Sequence, residues 1–164
     1  MEYSEAELRS FIGPRATYYL KRFQRLQHGG PNSFSFNFAA FFFSLGWLLY
    51  RRLHRIFWIA LAIVVVESVL SEWVATAFLG LQTASTTYNQ LVTLTYAVTV
   101  GTFANALYYR HAARRLAGLK ANAATEGQIA QAGGVRWGPP LVFLAVVLSL
   151  VILAIYAGSN ITAP

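Results

Sequence analysis

Phe34-Ser35-Phe36-Asn37-Phe38-Ala39-Ala40-Phe41-Phe42-Phe43-Ser44-Leu45-Gly46-Trp47-Leu48-Leu49-Tyr50 is the stretch whose reading sets the architecture. It is too apolar for a loop and awkward as a membrane span. Its seventeen residues reach only about 26 Å as a helix, short of a hydrocarbon core about 30 Å thick. Ser35, Asn37, Ser44 and Gly46 interrupt the apolar run.

The charges on either side decide between the alternatives. Of the thirteen Lys and Arg residues, five precede the segment, Arg51, Arg52 and Arg55 follow it, and five lie in 110–136. If residues 34–50 spanned, these clusters would alternate between the two sides, eight against five. If the segment enters and returns, or lies along the interface, all thirteen fall on one side. Positively charged loops concentrate on the cytoplasmic face, which favours the second arrangement. The expectation is therefore a re-entrant or interfacial aromatic segment whose polar groups face protein. Four spans are the alternative.

Composition points the same way. With 56% hydrophobic and 12% charged residues, the chain departs far from the roughly 25% charge of soluble domains. Its apolar residues also form long runs instead of amphipathic scatter. Cysteine is absent, which excludes disulfides and thiolate chemistry. The six acids are all Glu. Residues 1–32 contain no apolar signal region, so the N-terminus is expected in the cytoplasm.

The expected fold is an all-α integral membrane protein with an amphipathic N-terminal helix and three transmembrane helices. Residues 1–32 read as a basic cytoplasmic region, broken at Gly13-Pro14, with Ser4 and Glu7 as a capping box. Phe11, Tyr18, Tyr19, Phe23 and Leu26 recur at helical spacing among Arg15, Lys21, Arg22 and Arg25. Such a helix either lies among lipid headgroups or packs on the protein's own cytoplasmic face. Residues 33–55 form the re-entrant unit, and 56–80, 88–109 and 137–158 the spans. Residues 110–136 form a cytoplasmic loop, partly helical, that reverses at Gly133-Gly134, and 159–164 form an outer tail. Pro139-Pro140 suits the first turn of the last helix.

Glu67 is the most anomalous residue, a carboxyl near mid-membrane that should face other helices. Thr93, Ala97, Gly101 and Asn105 supply a helix-packing face on the next span, with Thr95, Thr99 or Asn105 as its hydrogen-bond partner. Glu72 lies about 140° around the helix from Glu67, so the two are not a dyad. Lipid or partner contacts are expected from Arg22, Arg25, Phe41, Phe42, Trp47, Tyr50, Arg51, Arg52, Arg55, Arg114 and Arg115. No nucleophile and base set, phosphate loop or metal spacing occurs, so no catalytic residue, metal or cofactor is expected. His28, His54 and His111 all fall in or beside cytoplasmic segments.

Phe11-Ile12-Gly13-Pro14, Tyr18-Tyr19-Leu20, residues 36–43, Trp47-Leu48-Leu49-Tyr50-Arg51-Arg52 and Asn105-Ala106-Leu107-Tyr108-Tyr109-Arg110-His111 resemble a family of small bacterial inner-membrane proteins, domain-of-unknown-function family 2628. The resemblance covers roughly residues 5–115. Phe38 replaces an expected Trp, and Arg52-Leu53-His54 a more usual Lys-Met-Tyr. The resemblance implies a bacterial cytoplasmic-membrane location and carries no activity. The expected role is a non-enzymatic accessory or scaffolding subunit whose partners are membrane lipids and other membrane-protein subunits, not nucleic acid. The alternative is a small oligomeric transporter or proton conductor using Glu67.

Overall fold

A computed structural model of the chain describes residues 4–28, 35–80 and 85–161. Expectations for the turn at 29–32, for Phe34 and for residues 81–84 lie outside these. The described residues form seven helices: α1 (Glu5–Ile12), α2 (Ala16–His28), α3 (Phe38–Tyr50), α4 (His54–Leu79), α5 (Thr86–Ala121), α6 (Glu126–Ala132) and α7 (Gly138–Ile161). Three of them, α4, α5 and α7, are long and apolar enough to cross a membrane.

The first two helices begin and end as their residues dictate. The Ser4 hydroxyl accepts from the Glu7 amide at 3.2 Å, and the Glu7 carboxylate accepts from the Ser4 amide at 2.6 Å. That closed capping box satisfies two otherwise orphaned donors. Gly13, at φ 65°, ends α1, and Arg15, also at φ 65°, turns the chain into α2. The Lys120 ammonium lies 3.2 Å from the Glu7 carboxylate and ties α1 to α5. The Ser4 amide first, and Lys120 second, hold Glu7 below the usual carboxylate value. The stabilisation this provides is present above the ordinary carboxyl pKa and is lost as pH falls through the lowered one.

Residues 4–28 do not stand alone. Leu8, Phe11, Ile12, Tyr19, Leu20 and Phe23 are all buried. They meet Trp47, Leu48, Leu49 and Leu53 from the α3–α4 corner, and Ala104, Tyr108, Ala112 and Leu116 from α5. Of the two settings open to the basic helix, packing on the protein's own face is therefore the one found. The reason is its aromatic stripe, which finds Tyr108 and Tyr109 with ring centroids 5.0–5.8 Å apart. We call this cluster the head. All thirteen Lys and Arg residues lie on the segments that build it or lead directly from it.

α3 is broken within. Ser44 takes φ 40°, ψ −113°, a left-handed setting that costs a non-glycine residue about 1–2 kcal/mol. Both ends of α3 meet α5 within a short reach. The Asn37 amide donates to the Gly101 carbonyl at 2.8 Å, and at the far end Trp47 packs on Tyr108, with ring centroids 6.2 Å apart. Gly101 and Tyr108 are about 10 Å apart along α5, whereas the ten residues from Asn37 to Trp47 would extend about 15 Å as straight helix. The segment thus covers one stretch of α5 instead of running alongside it.

α5 divides at the same place. Gly101, Ala104, Asn105, Tyr108, Ala112 and Leu116 form a buried stripe, and no residue from Thr86 to Val100 is buried. The apolar stretch of α7 has no residue buried by protein. Beyond Ala121 the loop expected at 110–136 contains α6, opened by a capping box of Thr125 and Gln128. α6 ends against α1, where the Gly134 amide donates to the Phe11 carbonyl at 2.7 Å. A side chain at Gly133 would overlap that Phe11 carbonyl, whereas Gly127 has nothing within 4 Å of where a methyl would stand. Gly133→Ala is therefore expected to cost at least ~2 kcal/mol in detergent thermal unfolding. Gly127→Ala should leave stability unchanged or raise it by up to ~1 kcal/mol.

Candidate functional site

The α3–α4 corner, residues 47–55, carries five of the sequence-selected residues, Trp47, Tyr50, Arg51, Arg52 and Arg55, with Arg51 at its centre. Arg51 is only 3% exposed. Its guanidinium donates to the carbonyls of Ile12 at 3.3 Å and Pro14 at 3.4 Å, and to the Tyr108 hydroxyl at 3.4 Å. It lies over the rings of Tyr19 at 4.4 Å, Tyr108 at 5.1 Å and Tyr50 at 5.6 Å. No carboxylate pairs with it among the described residues, and its Nε is buried without a partner. Desolvating a guanidinium costs several kcal/mol. Three π faces and three oxygens offset this, a desolvated cation–π contact contributing up to about 2 kcal/mol.

Arg52 follows at φ 62° and points elsewhere. Its Nη1 donates at 2.7 Å to the carbonyls of both Gln131 and Gly133. A cation at the last turn of α6 complements that helix's partial negative end. Burial first, and then Arg136 and Arg115 nearby, lower its pKa from the ordinary guanidinium value. Tyr50 packs on Trp137, centroids 4.8 Å apart, and its carbonyl accepts from the Arg136 amide at 3.0 Å, which fastens the start of α7.

At the other end of α3, two buried amides interlock. Asn37 Nδ2 donates to Asn105 Oδ1 at 2.9 Å. Asn105 Nδ2 in turn donates at 3.0 Å to both the carbonyl and hydroxyl of Ser35. Gly101 permits the approach, because a methyl there would stand 2.7 Å from the Phe36 ring and 3.0 Å from Phe41 Cβ. Gly101 and Asn105 thus serve as packing residues towards residues 35–41, not towards Glu67. The remaining members of that face do not join them. Thr93 is exposed, its hydroxyl donating to its own helix at Asn89, and Ala97 is half-buried.

The residues assigned to lipid or partner contact separate into two groups. Trp47 is internal, packed on Tyr108 of α5, and Arg51 is internal, held at Ile12, Pro14 and Tyr19, while Arg52 Nη1 bonds the end of α6. The burial of Trp47 and Arg51 corrects the expectation of outward contact for those two, whereas Arg52 is half-buried. Phe42, Arg25, Arg55, Arg114 and Arg115 are exposed, while Phe41, Tyr50 and Arg22 are half-buried, the Arg22 guanidinium 3.5 Å over the Tyr18 ring. Glu67 meets none of the residues proposed for it. Its Oε1 accepts from the Tyr88 hydroxyl, on the first turn of α5, at 2.8 Å.

The head, the broken aromatic segment and three membrane-length helices define a small helical protein whose architecture fits a membrane protein. The chain belongs to the family described as Protein of unknown function (DUF2628), whose match covers residues 8–114. That interval takes in Leu8 through the Arg51 site to Arg114 and stops before α6 and α7. No curated protein and no solved structure matches the chain.

Removing the central cation tests the site directly. Arg51→Ala is expected to destabilise by about 3 kcal/mol, since it leaves the Ile12 and Pro14 carbonyls unsatisfied and opens a void. Arg51→Lys should recover only part of this, because an ammonium lacks the planar fork. Hydrogen exchange should locate the loosening in α1 and α2.

Proposed function

We propose that this protein is a non-catalytic integral membrane protein, an accessory or scaffolding subunit of the bacterial cytoplasmic membrane, with its N-terminus and head in the cytoplasm. The observation that carries this reading is the division of the molecule. The head buries its apolar side chains on one another, whereas the three spans pack little on one another, and the apolar stretch of α7 has no residue buried by protein. Such helices are surfaces for lipid tails and partner helices, which associate through close packing and interhelical hydrogen bonds. Residues 34–50 then enter and return at the cytoplasmic face, an arrangement the break at Ser44 and the shared docking on α5 support.

The same geometry suggests how the interface is engaged. Phe38, Phe42 and Phe43 are about 70% exposed on α3, a contiguous aromatic patch of the kind that lipid or a partner covers. Arg25, Arg55, Arg114 and Arg115 are exposed on the head, each able to contribute about 1 kcal/mol of attraction to anionic headgroups. Nucleic acid is not needed to account for this charge, since one-sided basic residues accompany this topology in general. Transport through Glu67 has less support, because Tyr88 already engages the carboxyl. Native mass spectrometry after purification in mild detergent should show the chain with co-purifying protein and anionic lipid. A lone monomer without either would remove the proposal.

A further inference from the structure

Arg52 stands where three parts of the head meet. The Gln131 and Gly133 carbonyls fix its guanidinium, and the Tyr50 carbonyl, two residues earlier, holds the Arg136 amide at 3.0 Å. From the other side comes α5. The His111 ring lies 6.5 Å from the ring of Phe11, whose carbonyl takes the Gly134 amide, and Arg115 follows His111 one helical turn on. His54 opens α4 directly after the corner, and no side chain caps that helix. The partial positive end of α4 therefore adds to the same charge.

These basic groups are close enough to act on one another. Burial, then Arg136, then Arg115 work against the charge on Arg52, and no carboxylate offsets them there. Burial first, and then Arg115, Arg114, His54 and Arg52, push the His111 imidazole down to about 4. The described acids of the head are engaged elsewhere. Glu5 pairs with Arg9 at 3.1 Å, Glu7 pairs with Lys120 at 3.2 Å, and Glu126 accepts from the Ser10 hydroxyl at 3.5 Å. Like charges gathered without a counterion repel, and an anion from outside the chain relieves that repulsion. Position decides which anion. The cluster lies at the starts of α4 and α7, beside the exposed rings of Trp58 and Trp137. Indole rings favour the headgroup level, where the anions at hand are lipid phosphates.

We infer that Arg52, Arg115 and Arg136 form a discrete binding site for the phosphate of an anionic lipid headgroup. The inference rests on the membrane placement proposed above, and it replaces diffuse attraction with one saturable site. Native mass spectrometry of the full chain, released from detergent micelles doped with increasing phosphatidylglycerol, counts the bound lipid. One saturable phosphatidylglycerol per chain is expected, held at least about tenfold more tightly than phosphatidylcholine, whose choline cancels the phosphate charge. Arg115→Gln and Arg136→Gln should each weaken binding about tenfold, the loss of one charge-assisted contact. Arg115→Lys keeps the charge and should retain most of the binding, which separates loss of the contact from misfolding. Arg25→Gln removes an equal charge from the exposed face of α2 and should leave binding unchanged, and millimolar inorganic phosphate should not displace the lipid. No saturable lipid, equal affinity for phosphatidylcholine, or a loss in Arg25→Gln as large as in Arg115→Gln would each overturn the inference. Displacement by inorganic phosphate would assign the cluster to a soluble anion and overturn it too. These failures leave the assembly role standing, whereas absence of a co-purifying protein would count against that role and leave the lipid site intact.

Discussion

At the junction of α1, α3 and α5 a guanidinium with no carboxylate partner is held by tyrosine rings and backbone carbonyls, and the head is organised around it. Arg51 touches the end of α1 at Ile12, the α1–α2 turn at Pro14, α2 at Tyr19 and α5 at Tyr108. Because it is the first residue after α3, it also sets how that helix leaves the cluster. Its neighbour Arg52 reaches the end of α6. Two consecutive arginines thus connect five of the seven described helices, through hydrogen bonds and, at Tyr19 of α2, a cation–π contact, in a geometry a lysine would not reproduce.

The constraint explains the placement of α3. One end is fastened by Arg51 and Trp47 against Tyr108, and the other by Asn37 against Gly101 and Asn105. With both ends held to neighbouring turns of α5, a straight helix does not fit, and the strain appears at Ser44. A buried amide pair is retained only where its partners are satisfied, as Asn37 and Asn105 are here. The apolar surface left over, at Phe38, Phe42 and Phe43, then faces away from the protein.

Much of this was legible in the sequence because it is local. The capping box at Ser4 and Glu7, the break at Gly13-Pro14, the three long apolar helices and the start of α7 at Pro139-Pro140 depend on residues a few positions apart. Arg51, Asn37 and Glu67 were read less well because their partners are distant in the chain. Tyr50-Arg51-Arg52 reads as an interfacial cluster, and only contact with Tyr108, fifty-seven residues away, turns Arg51 inward. The Asn37–Asn105 pair spans sixty-eight residues, and Tyr88 reaches Glu67 across twenty-one. α6 did carry a local signal, since Thr125 and Gln128 stand at capping-box spacing, and the alanine-rich composition around it masked that signal.

The central claim is that residues 34–50 enter and leave on the same side, so that the basic residues before and after them share one compartment. The chain has no cysteine, so single cysteines placed at the exposed positions 25, 55, 85 and 115 can be labelled without background. Labelling with a membrane-impermeant thiol reagent, in intact cells and in inverted vesicles, should report 25, 55 and 115 on one face and 85 on the other. Labelling of 25 and 55 from opposite faces would mean that residues 34–50 cross the membrane, and would contradict the account.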